Sequence, residues 1–296
     1  MKTLLKFLLL VICLTFIFIL LAAVLPYSQT IENADGGIHL SGIVYLVINS
    51  LWICLAIFYV AKKSPLKNDE TIGGLSFSLF FIYAFMPQIE PLLFKNTVLA
   101  LDRIDVLFIM IVHGISVVLA TLLGVRLFRG HFKPSRYTRK SKYFSTTDIL
   151  IKLLLTGVSY MVIYFVFEYF VTWKIEEVRI FYTGSSQDVG FVPRLIEIWN
   201  HTPSLYFVQL ARGVLFGLFI LPVVNMFRKK SLVLLISIIL IFESSAISLI
   251  IPNLVYPEVV RTGHLWEMIS SLFLFAIITW LVFDKLILAR VNDKYY

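Results

Sequence analysis

Residues 231–252 read SLVLLISIILIFESSAISLIIP, and Glu243 is the only ionisable side chain among them. The stretch follows a basic pair, Lys229 and Lys230, and ends at Pro252. At 1.5 Å per residue, a helix of this length crosses a hydrocarbon core of roughly 30 Å. Because a bilayer offers no other partner to backbone amides, the stretch is predicted to be a transmembrane helix.

Similar apolar stretches recur along the whole chain of 296 residues, of which 59% are hydrophobic and 15% charged. The mean hydropathy of +0.89 is too high for a soluble domain, whose surface must be polar. The sequence therefore predicts an all-α, polytopic helical bundle of about eight transmembrane helices, forming a single transmembrane domain over residues 1–296. The spans are expected at 4–26, 38–61, 71–94, 104–128, 148–172, 205–227, 231–252 and 264–287.

The distribution of Lys and Arg predicts that both chain ends are cytoplasmic. With the N-terminus inside, the inner segments hold about 18 of the 26 basic residues, which follows the positive-inside rule. The largest inner group is the loop 126–142. It can attract anionic lipid, although fixing the topology is the simpler interpretation. We expect an integral protein of a bacterial cytoplasmic (inner) membrane, in contact with lipid and without a nucleic-acid partner.

Residues 1–26 allow a second interpretation. Lys2 and Lys6 precede a long apolar run that ends near Ala22 and Ala23, as in a signal peptide. The run is long for a signal peptide, so a retained helix is favoured. In the longest outer loop, residues 191–199 are predicted to form a short surface helix, with Pro193 in its first turn.

Several kinds of chemistry find no support in the sequence. Cys13 and Cys54 are too few for a cysteine-based metal site and lie inside apolar stretches,. No serine-nucleophile elbow and no glycine-rich phosphate loop is present. We therefore predict no cofactor and no metal site.

Ionisable side chains inside the predicted spans are the candidate functional residues. Each costs about 2.5–3.5 kcal/mol at the centre of a bilayer, so such groups usually face a bundle interior or a cavity. Most lie in the outer half of the predicted bundle, where they can line one outward-facing pocket. They are Arg212, Glu90, Glu168, Glu243, Glu267, His264 and His113.

Arg212 is the strongest of these candidates, because it lies too deep to reach water easily. It is expected to pair with a carboxylate from Glu168, Glu243 or Glu267, or to clamp an anionic ligand. Glu90 lies between two prolines in residues 87–91. It belongs either to an interrupted helix of the kind that forms transporter sites, or to a span that ends near Pro87.

His264 and Glu267 share one helix face, because they are three residues apart. They can act in a proton relay. A metal site completed by Glu243 or His113 is an alternative, but the pair lacks the two-histidine spacing of zinc proteases, so no metal site is predicted. The leading hypothesis is a protein that binds or transports a small polar or anionic solute, or a lipid headgroup. The alternatives are an intramembrane enzyme acting on a lipid or lipid-linked substrate, and a non-catalytic membrane assembly partner.

Overall fold

The computed structural model describes residues 2–25, 40–93, 102–130, 145–228, 230–252 and 256–286. Within these ranges the chain forms helices and no strand, and eight helices are long and apolar enough to cross a membrane. The predicted all-α, multi-pass membrane bundle is thereby confirmed. The α-helices are α1 Lys2–Val24, α2 Leu40–Lys63, α3 Asn68–Leu79, α4 Ile89–Leu93, α5 Arg103–Arg129, α6 Thr146–Phe167, α7 Glu176–Thr183, α8 Phe191–His201, α9 Ser204–Phe227, α10 Ser231–Ile247 and α11 Glu258–Trp280.

Irregular helical turns extend several of these helices. A π-helical turn, Phe80–Phe85, and a 3₁₀ turn, Met86–Gln88, join α3 to α4. The span therefore continues past Pro87 to Leu93. A second π-helical turn, Glu168–Thr172, extends α6. Such turns change the direction of side chains relative to a regular helix and frequently occur at functional sites.

Helix α3 and its π-helical turn lie between two groups of helices. On one side α3 packs against α5, which also contacts α1 and α2. On its other side α3 packs against α9, which contacts α6, and α6 in turn packs against α11. Helix α10 connects the two groups, because it packs against α2 and α11. These contacts bury Tyr83, Phe216, Phe242 and Phe275 in the core.

Several polar contacts bring alternate helix ends together at one end of the bundle, here named the basic end. Lys6 Nζ donates to the Leu127 carbonyl at 2.8 Å, and Lys230 Nζ donates to the Lys63 carbonyl at 3.1 Å. Ser231 Oγ donates to Asp284 at 2.5 Å. Both ends of the described chain therefore lie at the basic end, while the cytoplasmic orientation of this end stays a prediction.

The predicted spans agree with the helices to within a few residues, with one larger difference. The last span begins at Glu258 and not at 264, because the charged residues Glu258 and Arg261 interrupt the apolar pattern but not the helix. Pro257 directly precedes the first turn. The predicted lipid-binding loop 126–142 lies largely outside the described residues, since the description stops at Gly130 and resumes at Ser145.

Helices α6 and α9 approach each other closely beside Arg212. A Cβ atom added to Gly213 would lie 2.7 Å from the Thr156 carbonyl oxygen and 2.8 Å from Gly157 Cα. One added to Gly217 would lie 2.6 Å from Thr156 Oγ1. Small residues permit this approach, as in other membrane helix pairs. Gly213 and Gly217 therefore allow α6 and α9 to pack closely.

Gly213→Ala is expected to lower the free energy of unfolding by about 1–3 kcal/mol, because the added methyl group meets the backbone of α6. Thermal denaturation of the detergent-solubilised protein measures this loss. Gly73→Ala is the matched control, since a Cβ there meets nothing within 4 Å and alanine favours the helix. Equal melting temperatures for the two variants would contradict the packing described here.

Candidate functional site

Arg212 lies in α9 at the end of the bundle opposite the basic end, and only 6% of the residue is exposed. Its Nη1 atom donates to Glu90 Oε1 and also to Gln209 Oε1, at 3.1 Å. The same Glu90 oxygen accepts a hydrogen bond of 2.8 Å from Gln209 Nε2. The Tyr160 ring lies 5.5 Å from the guanidinium carbon. Arg212 is thus held by a carboxylate, an amide and an aromatic face.

The expected ion pair of Arg212 exists, but its partner was predicted wrongly. The partner is Glu90, not Glu168, Glu243 or Glu267. Depth in the membrane made those three equally plausible, whereas the contact depends on which helices are neighbours. The π-helical and 3₁₀ turns carry α4 past Pro87, and the segment packs against α9. The span therefore does not end near Pro87, and irregular turns separate α3 from the segment that carries Glu90.

His264 and Glu267 form a hydrogen-bonded pair at the beginning of α11. His264 Nδ1 lies 3.0 Å from Glu267 Oε2, which also accepts a 2.5 Å hydrogen bond from Thr172 Oγ1. On the other side of the ring, His264 Nε2 lies 2.8 Å from the hydroxyl of Tyr182. This series of hydrogen bonds, from Thr172 through Glu267 and His264 to Tyr182, connects the π-helical turn after α6 with α7.

The hydrogen bonds of His264 are assigned from the groups that face its two nitrogens: the Glu267 carboxylate oxygen accepts, whereas a protonated Tyr182 hydroxyl can donate or accept. Burial raises the pKa of Tyr182 above its ordinary value and that of Tyr256, which lies beside His264, to about 12. Both hydroxyls are therefore protonated at neutral pH. A neutral His264 with its proton on Nδ1 donates to Glu267 and accepts from Tyr182 at Nε2. The carboxylate favours this tautomer, which leaves Nε2 as the basic atom.

Glu168 and Arg194 form a second ion pair at the same end. Arg194 Nη2 lies 3.8 Å from Glu168 Oε1, and Nη1 lies 3.0 Å from Glu197 Oε2. The guanidinium of Arg194 stacks 3.5 Å above the Trp173 ring. Arg194 belongs to α8, so the predicted surface helix is confirmed and carries a cation toward the bundle.

These groups form one electrostatic cluster, which we name the polar cluster. Glu168 interacts with Glu267, His264 and Glu90, and Arg212 interacts with Glu90 and Glu267. Tyr164 lies within range of all three carboxylates. The structure therefore brings five of the seven predicted residues together: Arg212, Glu90, Glu168, Glu267 and His264.

Glu243 and His113 were grouped with the other five residues by depth, and the structure does not place them in the polar cluster. Glu243 is buried in α10, and its Oε1 atom has no hydrogen-bond partner within the described ranges. His113 in α5 lies between the rings of Phe18 and Tyr83 and borders an apolar cavity of about 380 Å³ between α1, α2 and α5. Both have a suitable depth, but their helices direct them elsewhere.

The suggested metal site with Glu243 or His113 does not form either. In the part of the chain that the structure describes, no group of three His, Cys, Asp or Glu residues is arranged to hold a metal ion. His264 and Glu267 instead satisfy one another and their hydroxyl neighbours. Their geometry suits hydrogen bonding and proton acceptance at Nε2.

Sequence reasoning missed Tyr182 and Arg194 as members of the cluster. Tyr182 lies in α7, an eight-residue helix too short and too charged for an apolar pattern to reveal. Arg194 was counted only as one of the few basic residues of the outer loops. Its position on the inward side of an amphipathic segment was the one available signal.

Comparison with protein-family models, curated proteins and solved structures found no match to this chain.

Tyr182→Phe is expected to lower the free energy of unfolding by about 1–3 kcal/mol, because it leaves His264 Nε2 without its donor. Chemical or thermal denaturation in detergent provides the measurement. Tyr59→Phe is a suitable control, since Tyr59 is half-buried in α2 near the basic end. If both variants unfold alike, the Tyr182 hydroxyl contributes nothing to the cluster.

Glu243→Met is expected to raise the free energy of unfolding by about 1–3 kcal/mol, because it replaces a buried carboxyl oxygen that lacks a partner by an apolar group of similar length. The same denaturation assay tests this expectation. A clear loss of stability would show that the Glu243 carboxyl group makes a necessary interaction.

Proposed function

We propose that this membrane protein binds a small anionic group at Arg212, carried by a free solute or by a lipid headgroup, through the polar cluster. The main support for this proposal is that the Arg212 guanidinium has donors without a partner among the residues that the structure describes. Both of its hydrogen bonds use Nη1, while its buried Nε has no partner in the described residues. The guanidinium edge formed by Nε and Nη2 is therefore unused.

An unused guanidinium edge matches the geometry of a carboxylate, phosphate or sulfate group. Two parallel N–H donors accept two oxygens of such an anion, an arrangement in which arginine is stronger and more selective than lysine. Leaving a buried donor unpaired costs about 1–3 kcal/mol. A bound anion removes this penalty. Its binding free energy at Arg212 is therefore more favourable than at an arginine whose donors are all paired.

Glu90 has the features of a displaceable partner for Arg212. About 35% of its side chain is exposed, compared with 8% for Arg212, and it lies beyond the π-helical and 3₁₀ turns that interrupt its helix. An incoming anion competes with Glu90 for the same guanidinium. Transport is the second part of the proposal, because interrupted helices beside charged groups form the substrate sites of many transporters.

His264, held by Glu267, takes up the proton that accompanies an anion in this proposal. The polar cluster already contains three carboxylates, so an additional negative charge needs compensation. His264 Nε2 can accept a proton and convert the ring to a cation, while Glu267 holds Nδ1. The outward direction of the pocket and its place in a bacterial cytoplasmic membrane are parts of the proposal that rest on the Lys and Arg pattern.

Binding of inorganic phosphate tests the proposal. Phosphate is expected to raise the melting temperature of the purified protein more than chloride at equal ionic strength. Arg212→Gln should weaken phosphate binding by about tenfold or more, because a charge-assisted hydrogen bond contributes about 1.5–3 kcal/mol. Glu90→Gln should strengthen it, because the competing charge is removed.

Lys174→Gln is the matched control for this experiment. Lys174 lies at the same end of the bundle and pairs with Asp188 at 2.9 Å, but its side chain is exposed. Its removal changes the net charge as Arg212→Gln does and should leave phosphate affinity nearly unchanged. Equal stabilisation of wild type and Arg212→Gln, or no stabilisation of either, would refute the proposed function.

A further inference from the structure

Helix α8 exposes an apolar stripe that no described part of the chain covers. Val192, Ile196 and Trp199 are 62%, 56% and 54% exposed. Their spacing of four and three residues places them on one face of the helix. We name these three residues the α8 stripe. An exposed apolar patch on a helix rigidly held by its neighbours indicates an interaction surface.

The α8 stripe is continuous with exposed apolar surface of the spanning helices α6 and α9. Phe191 of α8 lies 5.5 Å from the Phe170 ring, and Phe170 is itself 58% exposed. At the other end of the helix Trp199 lies 5.5 Å from Tyr206, next to Phe207, which is 63% exposed. The outward surfaces of apolar spanning helices contact lipid chains. The α8 stripe adjoins this apolar surface.

The opposite side of α8 carries its only arginine toward the polar cluster. Arg194 contacts Glu168 and stacks on Trp173, and its buried Nε has no partner in the described residues. Glu168 also lies within electrostatic range of Glu90, the partner of Arg212, although these two carboxylates repel each other. One short helix thus separates lipid from a row of charges that leads from Arg194 to Arg212.

We infer that the anionic ligand is a membrane lipid, whose headgroup enters beside α8 while its acyl chains lie along the α8 stripe. This inference rests on the proposed function and specifies its ligand class. An amphipathic helix that lies in the interface buries its apolar face at the boundary of headgroups and chains. The phosphate of a lipid at this depth meets Arg194 first and Arg212 next, and both guanidiniums have a spare donor.

A free solute fits this arrangement less well. A free solute needs no apolar surface next to the entrance of its site. For such a ligand we would expect the charged residues to begin at a water-exposed surface and not at the lipid-facing helix. A headgroup with a single phosphate and no compensating amine is the form that the two arginines favour. Phosphatidylglycerol has this chemistry, whereas phosphatidylcholine adds a cation to the same phosphate.

Native mass spectrometry of the full-length, detergent-solubilised protein tests the inference with these two lipids, chosen with identical acyl chains. Wild type is expected to retain phosphatidylglycerol about tenfold more tightly than phosphatidylcholine. The double substitution Ile196→Gln and Trp199→Gln should reduce retention of phosphatidylglycerol about tenfold, because it removes the apolar contact of the chains. Leu232→Gln is the control, since Leu232 is 67% exposed on α10 near the basic end.

Inorganic phosphate binding, measured in parallel, separates this inference from the proposed function. The double variant is expected to bind phosphate like wild type, because it leaves Arg212 and Arg194 intact. If it retains phosphatidylglycerol as wild type does while phosphate binding persists, lipid entry at α8 is wrong and the ligand is a free anion. If phosphate binds no variant, the proposed function itself fails. A change in oligomeric mass of the double variant would identify the stripe as a protein contact and overturn the inference.

Discussion

A guanidinium inside an apolar bundle must be neutralised, and this requirement for Arg212 determines much of the surrounding structure. The arginine keeps its charge under all ordinary conditions, so the protein must bring a carboxylate to it. Glu90 fulfils this need only because its helix continues beyond Pro87. A regular helix that ended at the proline would have left Glu90 among the headgroups and Arg212 unpaired.

The glycines of α9 also help to neutralise Arg212, because they allow another helix to approach it closely. Gly213 follows Arg212 directly, and its missing side chain lets α9 approach the backbone of α6. This approach places Tyr160 beside the guanidinium. It also brings α6, with Glu168 at its end, close to the cluster. A larger side chain at Gly213 would separate the two helices and with them the aromatic face and the charges.

The sequence was sufficient for the fold and for the membership of most of the cluster, and the reasons are physical. Hydrophobic length fixes the number of spans, and the high energy of buried charge makes Arg212, Glu168 and Glu267 conspicuous. Neither property says which helices are neighbours. Glu90 was therefore not recognised as the partner of Arg212, and Glu243 was placed in a cluster that its helix does not face.

Local irregularity limited the sequence-based prediction in a second way. An apolar pattern detects neither the π-helical turns nor α7, whose eight residues include Glu176 and Glu177. The start of α11 was placed six residues late for a related reason, since Arg261 interrupts hydropathy but not hydrogen bonding. Arg261 instead donates to the carbonyls of Leu249 and Ile250. Charged residues near a helix end thus make hydropathy place that end too late, although the backbone hydrogen bonds of the helix continue.

Four arginines at this end of the bundle differ in what they bind, and the difference distinguishes loop-holding contacts from those of the polar cluster. Arg179 and Arg261 direct their donors to backbone carbonyls, and neither has a buried donor without a partner in the described residues. Arg212 and Arg194 face carboxylates, and each leaves Nε unpaired. A carbonyl cannot move away or take up a proton, whereas a carboxylate can do both. Arg179 and Arg261 are therefore bound to backbone carbonyls, while the two arginines that face the carboxylates keep a buried donor available for a further anion.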